Sequence, residues 1–125
     1  MAVVFNISNG GSNGGGLFVL GPPKEMGWLG DGRFVLGAAL MLSGAFINIR
    51  SDYILRGLRR APGDGYQIPH GFLYRWISCP NYLGEILEWT GWAIATWSLA
   101  GTSFAVWTAA VLGPRALAHH RWYRE

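Results

Sequence analysis

Apolar and polar positions along this chain separate into long blocks rather than into the short alternation of a half-buried strand. Phe34 to Ile49 is predominantly apolar, with Gly37 and Gly44 placed for close helix contact. Tyr82 to Leu99 forms a second such block and Ser103 to Ala118 a third, and Ala100-Gly101-Thr102 reads as a tight turn between them. The blocks predict an all-α, polytopic membrane protein with three transmembrane helices, at about 34–50, 82–99 and 103–118. The first holds only about 16 apolar or small residues, but Arg33 and Arg50 can snorkel to the interfaces. Pro114 predicts a kink near the end of the third. A soluble bundle with buried helices is the rival, and the long apolar runs weigh against it.

The start of the chain is different. Val3-Val4-Phe5 and Leu17-Phe18-Val19-Leu20 flank a run of Gly, Asn and Ser, and neither piece approaches the ~20 residues of a span. Residues 1–30 read as a short Gly-rich helix fragment or a re-entrant piece, broken at Gly21-Pro22-Pro23. No Lys-Ser/Thr pair follows the glycines and no strand precedes them, which argues against a phosphate loop. Asn6-Ile7-Ser8 has the form of a glycosylation sequon, a triplet that arises often by chance. Residues 60–80 form a polar loop containing Pro62-Gly63-Asp64-Gly65 and Ile68-Pro69-His70-Gly71.

Composition agrees with a membrane location. Of 125 residues, enough for one domain, 50% are hydrophobic and 14% charged, against roughly 25% charged in soluble domains. The net charge of +3 matters less than where the arginines lie. Arg50, Arg56, Arg59, Arg60 and Arg75 lie in the 50–80 stretch, and Arg115, Arg121 and Arg124 near the end. The positive-inside rule puts both on the cytoplasmic side. The single Cys79 excludes an intrachain disulfide and a multi-cysteine metal site. His119 and His120 point to different helix faces with no third ligand placed to join them, so no metal is expected. No basic-aromatic nucleic-acid surface is visible, and the first residues lack the charged n-region of a secretory signal.

Polar side chains gather where the apolar blocks begin and end. At about 100° per residue, Asn48, Asp52, Arg56 and Arg59 fall within about 80° of one another. Asn81, Glu85 and Glu88 form a second stripe, and Arg115, His119 and Trp122 or Tyr123 a third. Converging at one membrane face, the stripes make a pocket of carboxylates, amides and guanidiniums. Such a mix suits a ligand with phosphates, ribose hydroxyls and an amide. Plainer readings stand beside this one. Arg60 and Arg124 suit topology signals or lipid-headgroup contacts, and Asp52 with Arg56 suits an ordinary i,i+4 pair. Glu85, a turn inside an apolar helix, is harder to read as ornament.

The runs INIRSDYILRGLR, GYQIPHGFLY, SCPNYLGEILEWTGWAIATWSLAG and PRALAHHRWY closely resemble the C-terminal half of steroid 5-alpha-reductases, the plant brassinosteroid branch included, from about Asp31 to Tyr123. The resemblance implies a seven-helix reductase that is integral to the membrane: the endoplasmic reticulum in eukaryotes, the inner membrane in bacteria. It implies NADPH as cofactor, a steroid or sterol-like lipid as substrate, and reduction of the 4,5 double bond of a 3-oxo-4-ene steroid. The family's cofactor-contacting positions match Asn48, Asp52, Arg59, Tyr66, Asn81, Glu85, Arg115, His119 and Tyr123. Family members are about twice this length, and their first helices carry the Glu and Tyr that hold the 3-oxo group. The catalytic acid is therefore expected in an N-terminal half that this sequence lacks, and the 125 residues alone are expected to be inactive on steroids. Three alternatives remain: a trans-2-enoyl reductase of very-long-chain fatty acid elongation, a methyltransferase of the isoprenylcysteine carboxyl type, and a cofactor-binding remnant that pairs with another membrane subunit.

Overall fold

A computed structural model describes residues 2–19, 23, 25–60 and 67–124. Four α-helices account for most of them: α1 Ala2–Phe18, α2 Gly32–Arg60, α3 Pro80–Thr96 and α4 Leu99–Arg124. Short 3-10 helices at Met26–Gly30 and Phe72–Arg75 punctuate the connections. No strand occurs among the described residues, as the block pattern predicts. Tyr66 and Pro62-Gly63-Asp64-Gly65 lie outside the described residues, as do Gly21 and Pro22 of the predicted break.

The frame is an antiparallel pair, α2 against α3, closed through glycine. A Cβ placed on Gly37 would stand 2.6 Å from the Gly91 carbonyl oxygen, and one on Gly91 would stand 2.5 Å from that of Gly37. Gly44 and Gly84 repeat the arrangement, at 2.5 Å from the Gly84 oxygen and 2.7 Å from the Gly44 oxygen. In each case the hydrogen that replaces the Cβ points at a carbonyl across the seam, the geometry of reciprocal Cα–H···O contacts. Gly37 and Gly44 are seven residues apart, as are Gly84 and Gly91, the repeat that keeps one stripe facing a left-handed partner. Ser51, the next position in the α2 repeat, is fully buried, and its Oγ has no hydrogen-bond partner.

Many large apolar side chains of α2 and α4 face outward. Val35, Leu36, Leu42, Phe46 and Ile49 of α2 are exposed, as are Leu99, Val106, Trp107 and Leu117 of α4. What is buried is small: Cys79, Pro80, Ala95, Ser51, Thr96 and Thr108, with Leu112. A soluble domain of this size would be arranged the other way round. By length and composition, the 28 residues of Gly32–Arg59 are long and apolar enough to cross a membrane, with a mean hydropathy of 1.5 over an 18-residue stretch. That is about 42 Å of helix, more than the ~30 Å hydrocarbon layer.

The helix ends differ from expectation in ways that have physical causes. Asp31 caps α2: its Oδ1 accepts the Arg33 backbone N–H at 2.8 Å, and the same carboxylate holds the Arg33 guanidinium at 3.0 and 3.1 Å. Ala100-Gly101-Thr102 is not a turn. α4 begins at Leu99, and the turn is Trp97-Ser98, with Trp97 in the left-handed region at φ 47°. Ser98 Oγ accepts the Gly101 N–H at 3.1 Å, and a Cβ at Gly101 would meet the Ser98 and Thr96 hydroxyls at 3.0 Å. Gly101 is thus a close-packed helical position, although glycine in sequence usually signals a turn. The Gly-rich start is likewise a full 17-residue helix rather than a fragment. Asn13 ties α1 to α3 by accepting the Trp92 indole N–H at 3.0 Å, and its own amide donates to Asn9 Oδ1 at 2.7 Å.

Gly91→Ala forces a methyl against the α2 backbone and should lower stability by about 1–3 kcal/mol. Gly113→Ala, with nothing within 4 Å of the new Cβ, should leave stability unchanged or raise it by about 0.5–1 kcal/mol. Thermal melting of both variants in one detergent checks the pair, and equal losses would remove the seam from this role.

Candidate functional site

A cleft of about 410 Å³ opens at the end of the frame where α2 finishes and α3 begins. Three helices build it. α2 supplies Asp52, Arg56 and Arg59, α3 supplies Asn81 and Tyr82, and α4 supplies His119 and Tyr123. Asp52 and Arg59 reach it because α2 continues ten residues beyond its predicted end at 50, so that their stripe lines a wall instead of fraying into loop. Asn81 arrives through the start of α3, where Cys79 precedes the helix and the buried Pro80 takes a first-turn position that needs no N–H donor. The loop before α3 folds back under α2: Tyr74 Oη donates to the Ser51 carbonyl at 3.3 Å, and the Phe72 ring meets Phe46 edge-on at 6.2 Å. Gly71 at φ 87° and Phe72 at φ 49° make the reversal.

The α4 wall is aromatic. His119 lies 6.1 Å from the Tyr82 ring and 6.2 Å from the Tyr123 ring. Across from it stand the guanidiniums of Arg56 and Arg59 and the carboxylate of Asp52. Among the described residues Arg33 and Asp31 form the one ion pair. The i,i+4 pair of Asp52 with Arg56 is therefore not made, and both side chains remain free for a ligand. Forked cations, an amide, a carboxylate and stackable rings in one cleft fit a dinucleotide's phosphates, ribose hydroxyls and ring systems. No group of three or more His, Cys, Asp or Glu side chains among the described residues is placed to hold a metal ion.

Of the nine predicted cofactor contacts, the structure brings five to this cleft: Asp52, Arg59, Asn81, His119 and Tyr123. Asn48 and Glu85 sit one turn deeper on the same two helices and do not line it. Their position is set by the glycine seam, since a Cβ at Gly84 would lie 2.6 Å from the Asn48 nitrogen. Glu85 has Glu88 and Asp52 as its charged neighbours. It has no ion-pair partner among the described residues. Arg115 lines a neighbouring cavity of about 390 Å³ with Ala118 and Trp122, and His119 borders both cavities. Tyr66 lies outside the described residues. Sequence reasoning missed Gln67, Tyr74, Ser78 and Tyr82 on the cleft wall. Ser78 and Tyr82 lie inside the SCPNY run, so the local signal was present, but neither falls on the helical stripes.

A family model described as 3-oxo-5-alpha-steroid 4-dehydrogenase matches residues 1–125. The chain is 53% identical over 98 residues to 3-oxo-5-alpha-steroid 4-dehydrogenase 1 of Bos taurus, covering 78% of this chain and 38% of that protein. It is 52% identical over 97 residues to 3-oxo-5-alpha-steroid 4-dehydrogenase 2 of Homo sapiens, with coverage of 78% and 38%. Against a steroid 5-alpha-reductase of Solanum lycopersicum the identity is 50% over 93 residues, covering 74% and 36%. The match to these relatives spans less than two fifths of their length.

Cys79 offers a direct probe of the cleft floor. Its side chain is buried, and burial pushes the thiol up from its ordinary value. At about pH 8 it should react at least about tenfold more slowly with a charged alkylating reagent in the folded protein than after denaturation. Equal rates, followed by mass spectrometry, would place Cys79 on an open surface.

Proposed function

The chain belongs to the 3-oxo-5-alpha-steroid 4-dehydrogenase family, and from that premise we propose that it is the NADPH-holding part of a membrane reductase acting on the 4,5 double bond of 3-oxo-4-ene steroids. The observation that carries this reading is the convergence of Asp52, Arg59, Asn81, His119 and Tyr123 from three separate helices on one cleft. The proposed site extends one turn deeper, to Asn48 and Glu85, and sideways across His119 to Arg115. The chain crosses the membrane three times, with the arginine-rich 50–80 stretch and the C-terminal end on the cytoplasmic side. The cleft then opens where soluble nucleotide is available.

When bound, the reduced nicotinamide supplies the hydride that goes to C5 of the enone. The chain's own residues bind and orient. Arg56 and Arg59 face phosphate with forked donors that match its oxygens, and an added 2′-phosphate would strengthen that match. Asp52 accepts from hydroxyls, and Asn81 both donates and accepts. The Tyr82, His119 and Tyr123 rings offer flat faces that fix a planar group. Glu85, flanked by apolar helix, accepts hydrogen bonds in surroundings where water competes poorly. Protonation at C4 and polarisation of the 3-oxo group fall to side chains beyond this set, in the segment that longer family members add.

Two substitutions test the reading. Arg59→Ala should weaken NADPH binding by about 1.5–3 kcal/mol, the value of one charge-assisted contact, and NADH binding by much less. Equal losses for the two cofactors would assign Arg59 to structure. Glu85→Gln should weaken NADPH binding with melting temperature and membrane insertion preserved, whereas a lower melting temperature at unchanged affinity would remove Glu85 from the site. S-adenosylmethionine serves as the control ligand for both. If it stabilises the wild-type chain and NADPH does not, a methyltransferase is the better description.

A further inference from the structure

Ser78 Oγ and His120 Nδ1 stand 2.8 Å apart, joining the loop that leads into α3 to a point on α4 42 residues further on. The place of this bond gives it a purpose. Leu112 is the last buried residue of α4. Two residues later Pro114, inside the helix, has no N–H to give the preceding turn, which weakens the backbone ladder there. From that point to Arg124 the helix is largely exposed, a lever of about 15 Å with little packing beneath it. His119 and Tyr123, which form the aromatic wall of the cleft, are carried on that lever. The contacts that reach it from the frame include the edge-on approach of Tyr82 to His119 and the Ser78–His120 bond. A ring contact allows sliding, while a hydrogen bond has a length and a direction.

We propose that Ser78 and His120 form a clamp that sets the angle of the α4 lever, and that they are positioning residues for the dinucleotide. The proposal rests on the functional reading given above and adds two residues to it. Ser78 is on the cleft wall and His120 is not. His120 therefore acts on the ligand through Ser78 and through the placement of its neighbours His119 and Tyr123. Without the clamp, the segment after Pro114 swings more freely. Binding must then order it, which raises the dissociation constant, and His120→Ala does so without removing a side chain that lines the cleft.

A double-mutant cycle on the 125-residue chain in detergent micelles tests this, with NADPH affinity read by nicotinamide fluorescence. Ser78→Ala and His120→Ala should each raise the NADPH dissociation constant by about fivefold, the range expected for one hydrogen bond. The double variant should be no worse than the weaker single within about twofold, because the second change removes a bond already lost. Ser78→Thr keeps the hydroxyl and should return affinity to within about twofold of wild type. Melting temperatures measured alongside guard against misfolding, and the Thr variant keeps the test open should the Ala variant unfold. Additive losses, unchanged affinity in His120→Ala, or no rescue by Thr would each overturn the clamp. Wild type that fails to bind NADPH would sink the functional reading and the clamp with it. Wild type that binds, with both single variants at wild-type affinity, would sink the clamp alone.

Discussion

Backbone contact between α2 and α3 is the constraint on which the rest of this molecule depends. Four glycines bring two helices close enough for carbonyl oxygens to face Cα–H groups across the seam. On the three-span topology proposed above, no hydrophobic gain drives these helices together, because a bilayer is as apolar as a leucine side chain. What remains is dispersion at close range and weak polar contact, and both fall off steeply with distance. A single methyl in the seam therefore matters more than a large change on the outward faces. Those faces carry Val35, Leu42, Phe46 and Val106, which need only lipid or another apolar surface.

The same logic accounts for the polar groups. Thr96 donates to the Trp92 carbonyl at 2.8 Å and Thr90 to the Ile86 carbonyl at 2.7 Å, so their hydroxyls are satisfied inside their own helix. Asn13 is satisfied by Trp92 and Asn9. At the end away from the cleft, Arg33 is held by Asp31 and lies 4.7 Å from the Trp28 ring and 5.0 Å from that of Trp97. That arrangement quiets a charge and suits an interfacial belt. At the cleft end, Asp52, Arg56 and Arg59 are left unneutralised by one another. The contrast separates charge satisfied inside the fold from charge left without an ion-pair partner among the described residues.

Much of this was legible in the sequence, and the failures have specific causes. The three apolar blocks appear as α2, α3 and α4, because sustained hydrophobicity survives any detail of packing. The stripes of Asp52 and Arg59, of Asn81, and of His119 and Tyr123 converge as helical periodicity predicts. The turn after α3 was misplaced because Gly101 carries two meanings, turn residue and close-contact residue, and only the neighbouring Thr96 and Ser98 hydroxyls decide between them. The glycine-rich start reads poorly as helix on propensity, since each interior glycine costs about 1 kcal/mol relative to alanine. Tertiary context overrides that cost: Asn13 of this helix accepts the Trp92 indole N–H of α3. Ser78 and His120 could not be paired from sequence, since their contact depends on how α4 crosses the loop before α3.

The glycine seam also sets the register of the site. Asn48 lies four residues beyond Gly44, Asp52 four beyond that, and Glu85 adjoins Gly84. A slip of one residue between the helices would move these groups about 1.5 Å along the axis and turn them about 100°. Either displacement would exceed the tolerance of hydrogen-bonded recognition. Side-chain packing alone leaves such slips cheap, because Leu, Ile and Met refill a shifted interface readily. Interlocked backbones do not, since no residue but glycine fits at the four contact points. The seam thus holds two of the cleft's walls in register, α2 and α3, through residues that never touch a ligand. The third wall, α4, has no such seam beyond Leu112, and there the position of His119 and Tyr123 depends on individual side-chain bonds.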